Sequence, residues 1–188
     1  KEIKNYLGLE DKKIQVVYLG ADNQDETENT KSLNLQSFDF KFKYVLCVSS
    51  CVRYHNIITI LESFKNILIK DKKNLKLIFI SQVLDKEYFL EIKKYISKNF
   101  SNNEVIIYNN LDKKNLKKLY TNALFYIFSS YCEVFGLTTL EAMSNNCPVL
   151  VSKCSALTEI NSDSALYFHP DNKLEIREKM LELINNND

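Results

Sequence analysis

Short apolar segments alternate along the chain with longer segments whose apolar residues recur at helical spacing. The apolar segments are short and nearly continuous, a pattern that predicts strands buried on both faces of a sheet. They are Ile14–Leu19, Tyr44–Val48, Leu75–Ile80, Val105–Tyr108, Leu124–Phe128, Pro148–Val151 and Ala165–Phe168. Strands that alternate with helices predict an α/β fold, a doubly wound parallel sheet with helices on both faces.

Polar residues precede each segment of helical period. Asn56, Asp85 and Asp112 are predicted to cap three helices, and a last helix follows Asp171. The first of these helices presents an apolar face of Ile57, Leu61, Phe64 and Leu68. Caps at regular intervals support the division of the chain into strand–helix units.

The 188 residues suit a single domain. Residues 1–13 are expected to form a linker or a short helix that leads into the domain. Residues 22–37 are polar and rich in Asn and Glu, which predicts a mobile surface loop.

Composition and charge exclude several classes of protein. The formal net charge of +1 provides no field that favours nucleic acid or an anionic membrane, and no apolar run approaches the length of a transmembrane segment. The five cysteines form no Cys-x-x-Cys pair, and three of them, Cys47, Cys147 and Cys154, lie in or beside apolar runs. The odd count and these apolar settings predict buried thiols in a reducing compartment, and hence a cytoplasmic protein. With two histidines, a His-based zinc site is not expected, and we predict no metal or cofactor.

The segment from 129 to 152 carries the candidate chemistry. A strand is predicted to end at Phe128, a loop then carries Glu133, and Gly136 lies just before a helix that Thr138 or Thr139 would cap. Glycine lets a ligand approach the backbone closely, and the free amides of a helix N-terminus attract phosphate. The sequence therefore predicts a phosphate or diphosphate site here.

Two glutamates lie in the same segment, Glu133 on the predicted loop and Glu141 in the first turn of the predicted helix. Carboxylates accept hydrogen bonds from sugar and ribose hydroxyls, so the pair is suited to the two ends of a nucleotide-sugar. The alternatives are helix-dipole compensation for Glu141 and a solvated loop charge for Glu133.

The block from Glu133 to Met143, EVFGLTTLEAM, resembles the Glu-x(7)-Glu signature of retaining glycosyltransferases of the family-4, or group 1, type, which have GT-B architecture. Residues 147–149, 155–159 and 165–170 continue the pattern, as do the strand and loop from Tyr44 to Asn56 and the opening segment 14–20. The resemblance thus covers nearly all the chain.

The resemblance implies that the chain is the Rossmann-like C-terminal half of such an enzyme, which binds the nucleotide-sugar donor. The N-terminal domain that holds the acceptor is then absent from this chain. By analogy Glu133 is the catalytic residue against the donor sugar or its phosphates. Glu141 binds the ribose. The backbone of Phe135, Gly136, Leu137 and Thr138 cradles the diphosphate, and the nucleobase lies near Asn110 and Leu111.

Two positions depart from the family pattern. Ser50 and His55 stand where the family commonly has Arg and Lys against the phosphates. Arg53 lies between them and is expected to supply a compensating charge, with a plain surface role as the alternative. His55 is either a phosphate donor or a helix-start residue.

The resemblance implies transfer of a hexose-type sugar to a glycan or lipid-linked acceptor, with retention, as in polysaccharide biosynthesis. The isolated chain is expected to be inactive. The alternative function is a non-catalytic nucleotide- or sugar-binding module on a degenerate scaffold, which the Ser50 and His55 departures favour. A third alternative, a phosphate-sensing domain of flavodoxin-like topology, would need an acidic cluster after the first strand and a Lys after a late strand, and neither is evident.

Overall fold

The computed structural model describes residues 6–8, 14–20, 42–70, 74–101, 103–109, 111–154 and 156–186. Within these ranges a parallel sheet has the strand order β3-β2-β1-β4-β5-β6. The strands are Tyr44–Val48 (β1), Lys76–Ile80 (β2), Val105–Tyr108 (β3), Phe125–Phe128 (β4), Val149–Ser152 (β5) and Leu166–Phe168 (β6). The α-helices between and after them are Ile57–Lys70 (α1), Lys86–Asn99 (α2), Lys113–Asn122 (α3), Leu137–Ser144 (α4), Leu157–Asn161 (α5) and Lys173–Asn186 (α6).

Helices cover both faces of the sheet. Side chains alternate along each strand, so Val45 and Cys47 of β1 face one hydrophobic cluster while Tyr44 and Leu46 face the other. The first cluster is closed by α1, α2 and α6, and the second by α3, α4 and α5. The doubly wound parallel sheet predicted from the alternating pattern is confirmed.

The bounds of the predicted strands agree with the structure from β1 to β6 within one residue at either end. The prediction of a strand at Ile14–Leu19 is wrong. This segment has no strand structure, and Val16 and Val17 are 68% and 78% exposed. An apolar run becomes a strand only when another strand offers its backbone groups as partners. Here the Tyr18 hydroxyl instead donates to the carboxylate of Glu159 in α5.

Two of the predicted helix caps are confirmed. Asp85 accepts a hydrogen bond from the amide of Tyr88 at 2.9 Å, and Asp112 accepts one from the amide of Asn115 at 2.7 Å. Asn56 directly precedes α1 but adopts a left-handed backbone, with φ 55°, and its Oδ1 accepts from the hydroxyl of Thr59. The predicted loop at 22–37 lies outside the described residues, as do 1–5 and 9–13 of the predicted linker.

The strand order places β1 beside β4 at the middle of the sheet. From β1 the chain winds outward through β2 to β3, then crosses back and winds in the other direction through β4, β5 and β6. The crevice between the carboxyl ends of two such strands is where open α/β sheets bind ligands. The topology therefore predicts a ligand site at the loops that follow Val48 and Phe128.

Helix α1 supplies a direct test of the core. Phe64 is fully buried in the first cluster, whereas Ile69 on the same helix is 60% exposed. We expect Phe64→Ala to lower the free energy of unfolding by about 3–5 kcal/mol, because it leaves a cavity in a packed interior. Ile69→Ala is the matched control, with an effect of about 0.5 kcal/mol or less. Urea denaturation measures both; equal losses would contradict the assigned faces of α1.

Candidate functional site

A cavity of about 340 Å³ lies at the carboxyl ends of β1 and β4. It is lined by residues 48–50, Tyr54, His55, Phe128 and residues 133–138. Its volume is within the range of sites that hold small molecules. Because β1 and β4 flank the reversal of strand order, the cavity occupies the crevice that the topology predicts.

The wall on the β1 side is formed by a short loop and a 3-10 turn, Arg53–His55. The loop is tied to the next strand–helix unit, since the amide of Cys51 donates to the carbonyl of Gln82 and its carbonyl accepts from the amide of Asp85. His55 is 7% exposed. The hydrogen bonds of Cys51 fix the loop that leads to His55, and His55 lies at the edge of the cavity.

One nitrogen of the His55 ring is committed to the protein. Nδ1 lies 2.8 Å from the carbonyl oxygen of Ser50 and 2.7 Å from the hydroxyl of Ser49. A carbonyl only accepts, so Nδ1 carries the proton in the neutral ring and Nε2 has the free lone pair. Burial lowers the pKa of His55, while the bond to Ser50 and the charge of Glu133 oppose that shift.

Glu133 forms the opposite wall. Its Oε1 accepts from the amide of Val134 at 3.0 Å and lies 3.5 Å from the amide nitrogen of Phe135. Its Oε2 lies 3.9 Å from Nε2 of His55, a separation too long for a direct hydrogen bond. The carboxylate is thus oriented by its own loop, with one oxygen directed at the imidazole.

Buried serines hold this loop to the rest of the sheet. The hydroxyl of Ser129 donates to the carbonyl of His55 at 2.8 Å, and that of Ser152 donates to the carbonyl of Ser130. Ser129, Ser130 and Ser152 are each fully buried. The site therefore rests on β1, β4 and β5 together.

Gly136 allows the chain to turn from this loop into α4. It has φ 90° and ψ 47°, and a Cβ atom at this position would lie 2.5 Å from Cδ2 of Leu157. Glycine adopts this left-handed conformation without steric cost. Directly after it, Leu137 and Thr138 begin the helix and line the cavity. The first amides of a helix have no partner within it and attract anions.

The prediction that Thr138 or Thr139 caps this helix is wrong, because α4 begins earlier, with Gly136 as its N-cap. Glu141 consequently lies beyond the first turn, contrary to prediction. The hydroxyl of Thr139 donates to the carbonyl of Gly136 at 2.7 Å. The hydroxyl of Thr138 lies 2.8 Å from that of Tyr126.

Two buried tyrosines beneath the cavity were not predicted as site residues. Tyr126, in β4, donates from its hydroxyl to the carbonyl of Val48 at 3.0 Å. The hydroxyl of Tyr120, in α3, lies 3.3 Å from both the carbonyl of Thr138 and Oε2 of Glu141. The available signal was the presence of tyrosine rather than phenylalanine in buried segments, since a buried hydroxyl needs a partner.

Glu141 lies on α4 outside the lining of the cavity. Its carboxylate is half-buried beside Tyr120. Burial raises the pKa of Glu141, while the Tyr120 hydroxyl and the charge of Lys113 partly oppose the shift. The carboxylate therefore lies between α3 and α4, where Tyr120 and the charge of Lys113, the first residue of α3, both act on it.

The structure does not bring Arg53 into the cavity. Its guanidinium donates to both carboxylate oxygens of Glu91 in α2, at 2.9 and 2.6 Å, and lies 3.8 Å from Asp85. It also lies over the ring of Tyr88. The positive charge that was expected to face the phosphates is thus directed towards α2, because the carboxylates of Glu91 and Asp85 attract it.

The remaining predicted residues divide into two groups. Ser50, His55, Glu133 and residues 135–138 line the cavity. Leu111 is half-buried and packs against the second hydrophobic cluster, and Asn110 lies outside the described residues. The base contact therefore stays a prediction.

The part of the chain that the structure describes has neither a cluster of metal-ligating side chains nor a membrane-spanning helix. No three His, Cys, Asp or Glu side chains there are grouped as a metal site would require. In the same ranges, no helix combines the length and apolar character needed to span a bilayer.

Comparison with known proteins identifies the family. The model of the family described as glycosyl transferases group 1 matches residues 28–188. The chain belongs to this family. The O-antigen chain mannosyltransferase RfbU of Salmonella typhimurium is 27% identical over 169 residues, which are 88% of this chain and 42% of that protein.

Solved structures share the fold of this group 1 domain. An α,α-trehalose-phosphate synthase (UDP-forming) from Burkholderia xenovorans has a TM-score of 0.68 at 12% identity, over 77% of this chain and 36% of the synthase. TarM has a TM-score of 0.65 at 20% identity, over 91% of this chain and 31% of TarM. The chain spans less than half the length of these relatives. The expected GT-B-type domain fold is confirmed by these similarities.

Gly136 provides a test of how this domain builds its cavity. We expect Gly136→Ala to lower the free energy of unfolding by about 1–3 kcal/mol, because the new methyl group strains the backbone and meets Leu157. Gly20→Ala is the control, since nothing lies within 4 Å of a Cβ atom there. Thermal denaturation measures both variants. A Gly136→Ala protein as stable as Gly20→Ala would show that the left-handed turn is not required.

Proposed function

We propose that this chain is the donor-binding domain of a retaining glycosyltransferase, and that a nucleotide-diphosphate sugar binds in the cavity between β1 and β4. The observation that carries the proposal is the arrangement around Gly136. The first residues of α4, Leu137 and Thr138, line the same cavity as an oriented carboxylate, Glu133, and a buried imidazole, His55. Amides suit phosphate, and an acceptor-only carboxylate suits hydroxyl groups.

The diphosphate is assigned to the backbone of residues 135–138. A helix N-terminus stabilises an anion through its amides and its dipole without any cationic side chain. Such amide binding suits this cavity, because the Arg53 guanidinium is paired with Glu91 and does not face it. The same amides would stabilise the leaving diphosphate as the sugar–oxygen bond breaks, which is electrostatic catalysis. Neither metal nor cofactor is required in this proposal.

The sugar is assigned to Glu133 and the ribose to Glu141. The amide of Val134 fixes one oxygen of Glu133, which leaves Oε2 directed into the cavity. Glu141 lies on the next part of α4, towards α3. With Asn110 and Leu111 just before α3 in the sequence, the order of subsites would be sugar, diphosphate, ribose and base.

The reaction and its setting follow from the relatives by analogy. RfbU is described as an O-antigen chain mannosyltransferase, which favours transfer of a hexose to a glycan or lipid-linked acceptor in polysaccharide biosynthesis. By the family resemblance, the acceptor would be held by a further, N-terminal domain; this chain covers 42% of the length of RfbU. We propose a cytoplasmic location for the enzyme. We expect no measurable sugar transfer by the chain alone.

A second candidate is a non-catalytic nucleotide- or sugar-binding module. It is favoured by Ser50 and His55 in place of the usual basic residues, and by the pairing of Arg53 with Glu91. Radiolabelled-sugar transfer, measured on this chain joined to an acceptor domain, separates the two. Transfer that Glu133→Gln abolishes supports the enzyme, and tight binding without transfer supports the module.

Glu141 is the residue whose substitution best tests donor binding. We expect Glu141→Ala to weaken binding of the preferred nucleoside diphosphate by about 1.5–3 kcal/mol, the contribution of a hydrogen bond to a charged group. The measurement is calorimetric titration with UDP, GDP, ADP and CMP. Glu178→Ala, at an exposed carboxylate on α6, is the matched control and should bind as the unaltered protein does. An unchanged dissociation constant in Glu141→Ala would remove Glu141 from the ribose subsite.

A further inference from the structure

His55 is placed unusually for a residue in an anion-binding cavity. Its ring is buried against Tyr54 and Phe128, with ring centroids 4.5 and 5.1 Å away. Nδ1 is held by Ser50 and Ser49. Nε2 is therefore the nitrogen that can respond to a ligand, and it faces the oriented carboxylate of Glu133 across 3.9 Å.

We propose that His55 is a proton-dependent contact for the diphosphate: Nε2 takes up one proton from solvent as the diphosphate binds, and the imidazolium then donates to a phosphate oxygen. The inference rests on the proposed donor-binding function and adds to it a regulation of affinity by pH. The proton is bound on association and released on dissociation, so no other reactant is needed.

The surroundings of His55 explain why the proton arrives with the ligand. Burial disfavours the charged ring, and its pKa in the free protein lies below its ordinary value of 6.5. Among the described residues, the titratable groups that face it are Glu133, from the loop after β4, and Tyr54, from its own turn. β1 and its loop present Ser49 and Ser50, β4 presents Phe128, and α4 contributes Leu137 and Thr138 to the lining of the cavity.

Glu133 alone does not fully charge the ring, because Oε2 is beyond hydrogen-bond distance. A diphosphate in the cavity would bring further negative charge within direct reach of Nε2. An adjacent anion stabilises the imidazolium and raises its pKa. Binding and protonation are then linked, and each favours the other.

The linkage has a definite sign. The pKa of His55 is low in the free protein and higher in the complex, so affinity rises as pH falls between the two values. A single linked proton changes the dissociation constant by up to about tenfold per pH unit in that interval. A lysine at the same position would remain charged throughout and give no such dependence.

Nuclear magnetic resonance of the imidazole nitrogens tests the proposal directly on the unaltered chain. The chain contains two histidines, and His169, which is exposed beyond the end of β6, serves as the internal control. We expect free His55 to carry its proton on Nδ1 at pH 7, and to become doubly protonated when a sugar-capped diphosphate is added. The signals of His169 should not respond, and His169→Gln assigns them.

The probes are UDP-glucose, GDP-mannose and ADP-glucose. A free terminal phosphate itself titrates near pH 6 and would obscure the effect, whereas a sugar-capped diphosphate lacks this group. Calorimetric titration at pH 6, 7 and 8 should show the affinity of the unaltered chain falling by up to about tenfold per pH unit. His55→Lys should bind with little pH dependence, and His55→Gln should bind weakly at every pH.

The outcomes separate this inference from the donor-binding proposal. If a probe binds and His55 remains neutral in the complex, or if His55→Gln keeps the full pH dependence, the role of His55 is overturned while donor binding stands. If no probe binds at any pH, donor binding by this chain is overturned, and the inference with it. His55→Lys is the folding control. If it binds the probe, the cavity is intact, and the weak binding of His55→Gln is then due to the lost side chain.

Discussion

The two sides of the cavity are joined through the hydroxyl group of a buried residue, Tyr126. Its ring is fully buried in β4, and its oxygen contacts the carbonyl of Val48 at the end of β1 and the hydroxyl of Thr138 in α4. A buried hydroxyl without a partner costs about 1–3 kcal/mol, so both contacts matter to the folded state. Through them the end of β1 and the start of α4 are held at one separation. The width of the cavity depends on this phenol.

Because Tyr126 contacts Thr138, the first turn of α4 is attached directly to the sheet. Gly136 turns the chain sharply enough for Leu157 to pack directly against it, and Tyr120 contacts the carbonyl of Thr138 from the side of α3. The amides that begin α4 are therefore held rigidly by α3, β4 and α5. Preorganised dipoles stabilise charge without the cost of reorientation, which is what a site for a leaving diphosphate needs.

The buried strands and two of the helix caps could be predicted, because each depends on residues that are close together in the sequence. Buried strands are continuous apolar runs, and Asp85 and Asp112 cap helices through bonds to residues only three positions away. The same reasoning failed for Ile14–Leu19, which has the composition of a strand but pairs with no strand in the structure. It also failed for the start of α4, since either threonine or Gly136 can serve as an N-cap.

The partners of charged and polar side chains could not be predicted, because they come from distant parts of the chain. Arg53 is withdrawn by Glu91, which lies 38 residues away on α2, and the hydroxyl of Tyr126 meets Val48 across 78 residues. Glu133, Gly136 and His55 were predicted as site residues from the loops that follow β1 and β4, and they line one cavity in the structure, while their roles there stay predictions.

The withdrawal of Arg53 changes the electrostatic character of the cavity. With that guanidinium paired to Glu91, the ionisable groups among the described residues that line the cavity are Glu133, Tyr54 and a desolvated His55, and none of these is a fixed cation. Attraction for an anion must then come from the amides of α4 and from a proton on His55. The helix dipole contributes typically about 0.3–1 kcal/mol for a charge at an exposed helix end, and hydrogen bonds from the amides add to it. A cavity built in this way would bind a diphosphate most firmly when the imidazole is also charged, which makes protonation part of recognition.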